Sequence, residues 1–382
     1  MKLPLGFQAA GVSAGIKPSG KLDLAALVSD YPLHWALQST ENMLKAPCVS
    51  RNRARHASGK PVMGIVVNSG NANCANGENG LWDNEDFAAL AANALSLGAV
   101  QDVLTASTGV VGVRLPMNKL RLTMPSLSKK LKKDSGGFAE AIITTDKHLK
   151  QVALTLEGGA RIVGVAKGSG MIHPNMATML AFVTTDADIS QKTLRKIWAE
   201  VVARSFNMVT VDGDTSPNDM ALVFSSHQVK TNVQAFAEGL LDVCQQLAQK
   251  IARDGEGASK LLTVNVTGAR SEEEARLAAR AVARSPLVKA AAQGNDPNWG
   301  RILVAVGASG AVVNPDSAAI KLQTVTVYDG EPKAYDEVLI SGSMAVNDIV
   351  IDADLAAGEA KATAWGCDLT DDYVYINADY TT

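Results

Sequence analysis

Short runs of apolar and β-branched residues alternate along the chain with longer stretches whose apolar positions recur every three or four residues. This is the pattern of a mixed α/β protein. Val62-Met63-Gly64-Ile65-Val66-Val67 reads as a buried strand that runs into a turn-forming cluster, Asn68-Ser69-Gly70-Asn71-Ala72-Asn73. Residues 83–97 read as a helix: Phe87, Leu90, Ala91 and Leu95 share one face, and acidic residues near its start suit the helix dipole. A second helix is expected over 190–204, with Leu194, Ile197, Trp198 and Val201 along one stripe. Leu262 to Val266 has the Val/Thr content of a strand. Ser271, with Glu274 three residues on, forms a capping-box start for a helix running to about Ala283, just short of Pro286. In the last hundred residues Thr324 to Tyr328, Glu337 to Ile340 and Tyr373 to Ile376 read as strands separated by Gly- and Asp-containing turns, which places a subdomain boundary near residue 260. No internal repeat or low-complexity tract interrupts this order.

A length of 382 residues suits two domains, or one large domain with an appendage, and 47% hydrophobic against 20% charged residues is enough apolar material for a sizeable core. The net charge of −3 argues against nucleic acid or an anionic membrane as the main partner, since both select a basic face. The local cluster Lys129, Lys130, Lys132 and Lys133 reads as a solvated helix face or loop. No apolar stretch approaches the length of a bilayer span, and the first residues lack the apolar run of a secretory signal, so a cytoplasmic location is expected. The four cysteines (Cys48, Cys74, Cys244, Cys367) are scattered without a CxxC pair and are expected as buried reduced thiols.

Several chemistries find no support. The five histidines are far apart, with no HxxxH or HxH pair. Asp352 and Asp354 would share one strand face, but exposed turn carboxylates are commoner than a cation site, so no metal is expected. There is no phosphate-binding G-x-x-x-x-G-K-[ST] loop, Gly109-Val110-Val111-Gly112 lacks the spacing of a dinucleotide fingerprint, and no serine sits in a G-x-S-x-G elbow. Three small-residue segments remain. Ser107-Thr108-Gly109-Val110-Val111-Gly112 follows an apolar run; it is either a plain strand-ending turn or a place where backbone N–H groups and a hydroxyl stabilise an oxyanion. Residues 167–178, Lys-Gly-Ser-Gly-Met-Ile-His-Pro-Asn-Met-Ala-Thr, are a glycine-rich lead into the strand-like Met179-Leu180-Ala181-Phe182-Val183-Thr184. If the backbone were cut before Thr178, its hydroxyl and its new α-amine, with a pKa of about 7.7–8.0, would lie on one residue as nucleophile and base. The bland alternative is a loop before a strand. Arg253-Asp254-Gly255-Glu256-Gly257-Ala258 offers a lone carboxylate between glycines, suited to a substrate amine or to an ordinary turn.

Taken together these segments resemble the ornithine acetyltransferase family, also called glutamate N-acetyltransferase or the arginine-biosynthesis bifunctional protein. The resemblance runs from Gly6-Phe7-Gln8-Ala9-Ala10-Gly11-Val12 through Val67 to Asn73, Ser107 to Gly112, Thr144-Thr145-Asp146, Lys167 to Leu180, Val211-Asp212-Gly213-Asp214-Thr215-Ser216, Asp254 to Ala258 and Asp296 to Arg301. It closes on the terminal Ile376-Asn377-Ala378-Asp379-Tyr380-Thr381-Thr382. It implies that Thr178 is the nucleophile, that the chain cuts itself between Ala177 and Thr178, and that Thr108 and Gly109 hold the oxyanion. It further implies that Thr145, Lys167, Thr178, Glu256, Asn377 and Thr382 bind substrate. The implied fold is an α-β-β-α sandwich with a C-terminal α/β subdomain. Residues 1–177 would form the alpha chain and 178–382 the beta chain, of which 178–260 completes the sandwich and about 261–382 forms the subdomain. The implied reaction carries acetyl from N-acetylornithine to glutamate with no cofactor, acetyl-CoA being a conceivable second donor. The implied assembly is a heterotetramer of two fragments of each kind. A hydrolase of the same nucleophile class, an aminopeptidase or amidohydrolase that passes the acyl group to water, is the rival reading. This sequence departs from the family pattern at Pro217, where a threonine is expected, at Asn295, and in a shorter stretch between Thr145 and Lys167.

Overall fold

Alternation of side chains along each strand decides what the strand packs against. The computed structural model describes residues 1–173 and 179–379. Its first eight strands are β1 (Phe7–Val12), β2 (Leu24–Ser39), β3 (Val62–Asn71), β4 (Val103–Val110), β5 (Lys150–Thr155), β6 (Arg161–Lys167), β7 (Leu180–Ala187) and β8 (Met220–Val229). Among them run the helices α1 (Pro47–Ala57), α2 (Gly77–Ala94), α3 (Met117–Lys130), α4 (Gly136–Ile142), α5 (Gln191–Ala203) and α6 (Val233–Arg253), the last following β8. The strands pair in the order β4-β3-β2-β8-β7-β6-β5, with β1 also on β2. The long β2 belongs to two layers. Leu24 to Val28 pair with β1 and β3, whereas His34 to Ser39 pair with β8, beyond an exposed stretch at Asp30, Tyr31 and Pro32.

Three apolar clusters show the layering. Leu24, Ala26, Val28 and Val66 face Phe87 and Ala91 of α2 and Leu120, Met124 and Leu127 of α3. Their neighbours on the opposite strand face, Ala25, Leu27, Ile65 and Val67, meet Val163, Val165, Phe182, Leu222 and Phe224 of the second layer. The outer face of that layer, Ile162, Ala181, Val183, Ala221 and Val223, packs on Leu194, Trp198 and Val201 of α5 and Leu240, Val243 and Leu247 of α6. The result is the expected α-β-β-α sandwich. Helix α4 sits at its edge, where Phe138 meets Phe182 edge-on at 5.1 Å between ring centres. Such a contact adds about 0.5–1.5 kcal/mol to the burial of the two rings, and it fixes the segment that carries Thr144 and Thr145.

The second sheet uses β9 (Leu261–Ala269), β10 (Ala319–Leu322), β11 (Val325–Asp329), β12 (Asp348–Asp354) and β13 (Ala360–Cys367) in the order β11-β10-β12-β9-β13. Helices α7 (Glu272–Arg284), α8 (Pro286–Gln293), α9 (Trp299–Gly307), α10 (Glu337–Met344) and α11 (Asp371–Asp379) complete the chain. Ser271 caps α7 by accepting the Glu274 N–H at 3.2 Å, as its sequence predicts. Two expected strands are helices instead. At 337–340 the Asp336 carboxylate accepts the Leu339 N–H at 3.1 Å, and this cap outweighs the β-propensity of Val338 and Ile340. At 373–376 Asp371 and Asp372 occupy the first turn of α11, where negative charge favours a helix. The expected turn at Asn68 to Asn71 is the continuation of β3, because Asn68 and Ser69 pair in parallel with Ser107 and Thr108. Helix α2 begins at Gly77, six residues before the expected start at Asp83. All four cysteines are buried free thiols, and the lysines at 129, 130, 132 and 133 are exposed.

Beneath the sandwich edge one fully buried cation, Lys150, joins distant segments. Its Nζ donates to Asp146 Oδ1 at 2.6 Å and to Asp254 Oδ2 at 2.5 Å, with all three side chains almost excluded from solvent. One ammonium does not balance two carboxylates, and backbone donors supply the rest. Asp146 also takes the Gly168 and Thr144 N–H groups, and Asp254 takes those of Lys147 and His148. Burial alone would push the Asp146 pKa up, but the charges of Lys167 and Lys150 and the Gly168 N–H hold it down at about 2. The contribution of Asp146 to stability is therefore complete above its ordinary value of 3.8 and is lost as pH falls through about 2. Lys150→Ala strands two buried carboxylates and is expected to cost about 3–5 kcal/mol at pH 7. It should also move the acid loss of stability to higher pH. Urea unfolding at a series of pH values measures both, and a cost below about 1 kcal/mol, the range of an exposed pair, would contradict this account.

Candidate active site

The ends of β4 and β6, the loops after β6 and before β8, the turn after α6 and the helix α11 converge on one cleft with a cavity of about 140 Å³. Thr108, Gly109, Thr145, Lys167, Glu256 and Asn377 all line it. These residues are scattered over 270 positions of sequence (377 − 108 + 1), and the fold brings them together. Ala177, Thr178 and Thr382 lie outside the described residues.

Gly109 is required by space as well as by conformation. Its φ is +129°, and a Cβ there would lie 2.3–2.6 Å from backbone atoms of Gly70 and Asn71, where β3 and β4 slip register. The preceding Thr108 is 4% exposed. Lys167, the last residue of β6 and 3% exposed, points its Nζ at Thr108 Oγ1 from 3.3 Å. An ammonium only donates, so Thr108 accepts there and keeps its own hydroxyl proton for another partner. Burial lowers the Lys167 pKa, against the carboxylates of Asp146, Asp219 and Glu256, which favour its charge.

The opposite wall is acidic. Glu256 donates its backbone N–H to Ser169 O at 2.8 Å, and its carboxylate accepts the Asn377 side-chain N–H at 3.0 Å. The glycine at 170 is needed for that approach, since a Cβ would fall 2.2 Å from Glu256 Oε2. Thr145 Oγ1 lies 2.7 Å from Ser169 Oγ, so the Thr145 side chain is tied to the same loop. Its neighbour Thr144 also lines the cleft and gives its backbone N–H to Asp146. The Lys150 network therefore anchors three carriers of the site at once: Thr145 beside Asp146, Lys167 before Gly168, and Glu256 two residues beyond Asp254.

Several lining residues had no expected role. Asp212 accepts the N–H groups of Met171 and Ile172 at 2.5 and 2.8 Å and so shapes the loop after β6. Burial raises its pKa, and burial with the nearby Asp212, Glu256 and Asp214 also raises that of Tyr373. Asn218, 4% exposed, donates to Ala72 O and Ser107 O at 2.7 and 2.9 Å. Next to it Asp219 is fully buried, takes the Met179 N–H at 3.0 Å, and has its pKa raised well above the usual carboxylate range by desolvation. Asp212 stands in a quoted segment, Val211 to Ser216, whose acidic pair was the available signal. Asn218 and Asp219 follow Pro217 in what reads as an ordinary turn, and nothing in their spacing marks them. Chemically the cleft offers one buried cation, a free hydroxyl proton and a carboxylate wall, a lining suited to a small zwitterion.

Among the described residues there is no group of three or more His, Cys, Asp or Glu side chains that could hold a metal ion, and no helix is long and apolar enough to cross a membrane. A profile of the ArgJ family matches residues 8–382. The arginine biosynthesis bifunctional protein ArgJ of Thermus thermophilus is 53% identical over 383 residues, covering all of both chains. That of Deinococcus radiodurans is 50% identical over 380 residues, covering 99% of this chain and 97% of its own. The crystal structure of arginine biosynthesis bifunctional protein argJ from Bacillus halodurans matches with a TM-score of 0.51 at 40% identity, over 52% of this chain and 98% of that one. With the profile spanning almost every residue and relatives this similar end to end, the chain belongs to the ArgJ family.

Proposed function

We propose that this protein cuts its own backbone between Ala177 and Thr178 and then uses Thr178 to carry an acetyl group from N-acetylornithine to glutamate, in arginine biosynthesis. The observation that carries the reading is the convergence of Thr108, Gly109, Thr145, Lys167, Glu256 and Asn377 on one cleft in a chain of this family. Thr178 Oγ attacks the acetyl carbonyl while its α-amine takes the hydroxyl proton. The negative charge that develops on the carbonyl oxygen is held by Thr108, whose hydroxyl proton Lys167 leaves free, and by Gly109. The C–N bond then breaks, the nitrogen takes the proton, and ornithine leaves. The amine of glutamate attacks the acetyl-threonine ester, and the proton returns to Thr178 Oγ. Lys167 suits a substrate carboxylate, Glu256 with Asn377 suits its ammonium, and Thr145 and Thr382 complete the binding set.

No metal or organic cofactor enters this sequence of steps, because nucleophile, base and oxyanion donors all come from the chain. Acetyl-CoA can serve as a second acetyl donor to the same threonine; an assay of glutamate acetylation from acetyl-CoA beside one from N-acetylornithine decides it. The two fragments stay together after the cut. Strands β6 and β7 flank it and pair from Ile162↔Thr185 to Lys167↔Leu180, and β2 pairs with β8 across it. One internal cut after residue 177 would leave pieces of 177 and 205 residues (382 − 177). Two of each fragment in a heterotetramer is the proposed assembly, and the buried free thiols suit a cytoplasmic setting.

Thr178→Ala is expected to give one uncut, inactive chain, whereas the wild type gives the two fragments by mass spectrometry under denaturing conditions. Both fragments from the alanine variant would rule out self-cleavage by this residue. Thr108→Val should lower kcat about 10²–10³-fold, as loss of one oxyanion donor does elsewhere. An unchanged kcat in steady-state assays would remove Thr108 from the mechanism. Finally, acetylglutamate should accumulate with glutamate present. Equal release of free acetate with and without glutamate would identify a hydrolase instead.

A further inference from the structure

A second cavity shares none of its described lining residues with the active-site cleft and is larger, at about 680 Å³ against about 140 Å³. Its size falls among those of small-molecule sites, about 300–1,000 Å³. It opens on the seam between the sandwich and the second sheet, where the turn after α5 and the helix α6 meet β9, α7 and the start of β13. The parallel bridge Val209↔Trp365 lays the turn after α5 alongside β13. Arg204, five residues before Val209, and Lys361, four before Trp365, therefore come to the same end. A bulge shapes the wall between them and β9. Ala360 and Ala362 pair with Ala269 and Val266, so Thr267 and Gly268 together face Lys361. Gly268 has a φ of +67°, and a Cβ there would lie 2.8 Å from the Ala356 nitrogen. The Thr267 and Gly268 carbonyls hold the bulge by accepting the Leu355 and Ala357 N–H groups at 3.0 and 2.7 Å. Bulges re-aim side chains and are common beside functional sites.

Five charged side chains line this cavity, Arg204, Arg276 and Lys361 against Glu272 and Glu359. Arg276 and Glu272 pair at 2.6 Å across one turn of α7 and cancel. Arg204, Lys361 and Glu359 make no ion pair among the described residues, and all three are exposed, so a solute reaches them. Gln245 spends its Nε2 on the Arg204 carbonyl at 3.2 Å and keeps its Oε1 as an acceptor. What is left is two cations, one carboxylate and one amide oxygen. The small molecule that answers them charge for charge carries two carboxylates and one ammonium. We propose that this cavity binds an acidic amino acid of the glutamate class, with Arg204 and Lys361 on its two carboxylates and Glu359, aided by Gln245 Oε1, on its ammonium. Cations at both carboxylates hold both ends of the molecule and separate it from a monocarboxylate, which leaves one of them unanswered. The site is distinct from the cleft, and its ligand does not depend on the chemistry proposed there.

Equilibrium dialysis of the whole protein against labelled glutamate tests the proposal. Arg204→Gln combined with Lys361→Gln removes both cations, and since both side chains are exposed and unpaired the fold should be kept. The double variant is expected to lose one bound glutamate per chain, its affinity at this site falling roughly tenfold or more with two charge-assisted contacts gone. That difference supports the site whether or not the cleft also takes glutamate, so it stands apart from the acetyl-transfer reading. Equal stoichiometry and affinity in the two proteins would overturn the proposal. Glutarate, which keeps both carboxylates and lacks the ammonium, tests the third contact. Glu359→Gln should weaken glutamate and leave glutarate bound as well or better; a loss shared equally by both would remove Glu359 from the site. If inorganic phosphate displaced glutamate from this cavity at equal concentration, the cavity would be a plain attractor of anions and the assignment would fail. Either single variant carries the same comparison if the double variant does not fold.

Discussion

A single ammonium group in a place without water organises this molecule. Lys150 lies between Asp146 and Asp254, residues more than a hundred positions apart, and none of the three side chains has water to fall back on. In such surroundings a carboxylate must be answered by fixed donors, and the geometry of those donors becomes rigid. The Gly168, Thr144, Lys147 and His148 N–H groups are drawn in to complete the count, so the backbone at the end of β6, after α4 and after α6 is set by one electrostatic requirement. Each of these segments carries a cleft residue within two positions. Precise placement of Thr145, Lys167 and Glu256 follows from an interaction that never faces a substrate.

The same economy of space shapes the cleft. Gly109 lets β4 close on the backbone of Gly70 and Asn71, and Gly170 lets the Glu256 carboxylate lie against the loop after β6. A side chain at 109 would force β3 and β4 apart, whereas one at 170 would displace the Glu256 carboxylate from its place in the cleft. Charge and sterics thus act in the same direction, with Gly109 expressing close approach of two backbones and Gly170 the close approach of a carboxylate.

Much of the sandwich was legible along the chain because its strands are buried on both faces and its helices are amphipathic. The stripe Leu194, Ile197, Trp198, Val201 faces the core, and Ser271 caps the helix it announces. What misled were β-prone side chains on exposed helices. Val338 and Leu339 in α10, and Val374 and Tyr375 in α11, are exposed, so their bulk reports no strand and their turns are decided by acidic residues at the start. The cleft residues that the motifs carry could be named from sequence and located only by the fold. Asn218 could not be named at all. It donates to the carbonyls of Ala72 and Ser107, far from it in sequence, and those contacts emerge only from the fold.

A chain that opens its own backbone must not depend on the bond it breaks. Here the cut would fall between β6 and β7, adjacent strands of one layer, and the ladder joining them is antiparallel and continuous from Ile162 to Lys167. Strand β2 reaches across from the first half of the chain to β8 in the second, and all three apolar clusters were built before any covalent change was needed, two of them with residues from both sides of the cut. The proposed cut therefore leaves both of these ladders in place. The described chain resumes beside the proposed cut at Met179, whose N–H is held by the buried Asp219. The fold thus supplies the rigidity that the proposed break requires, because β7 is held along both edges by β6 and β8.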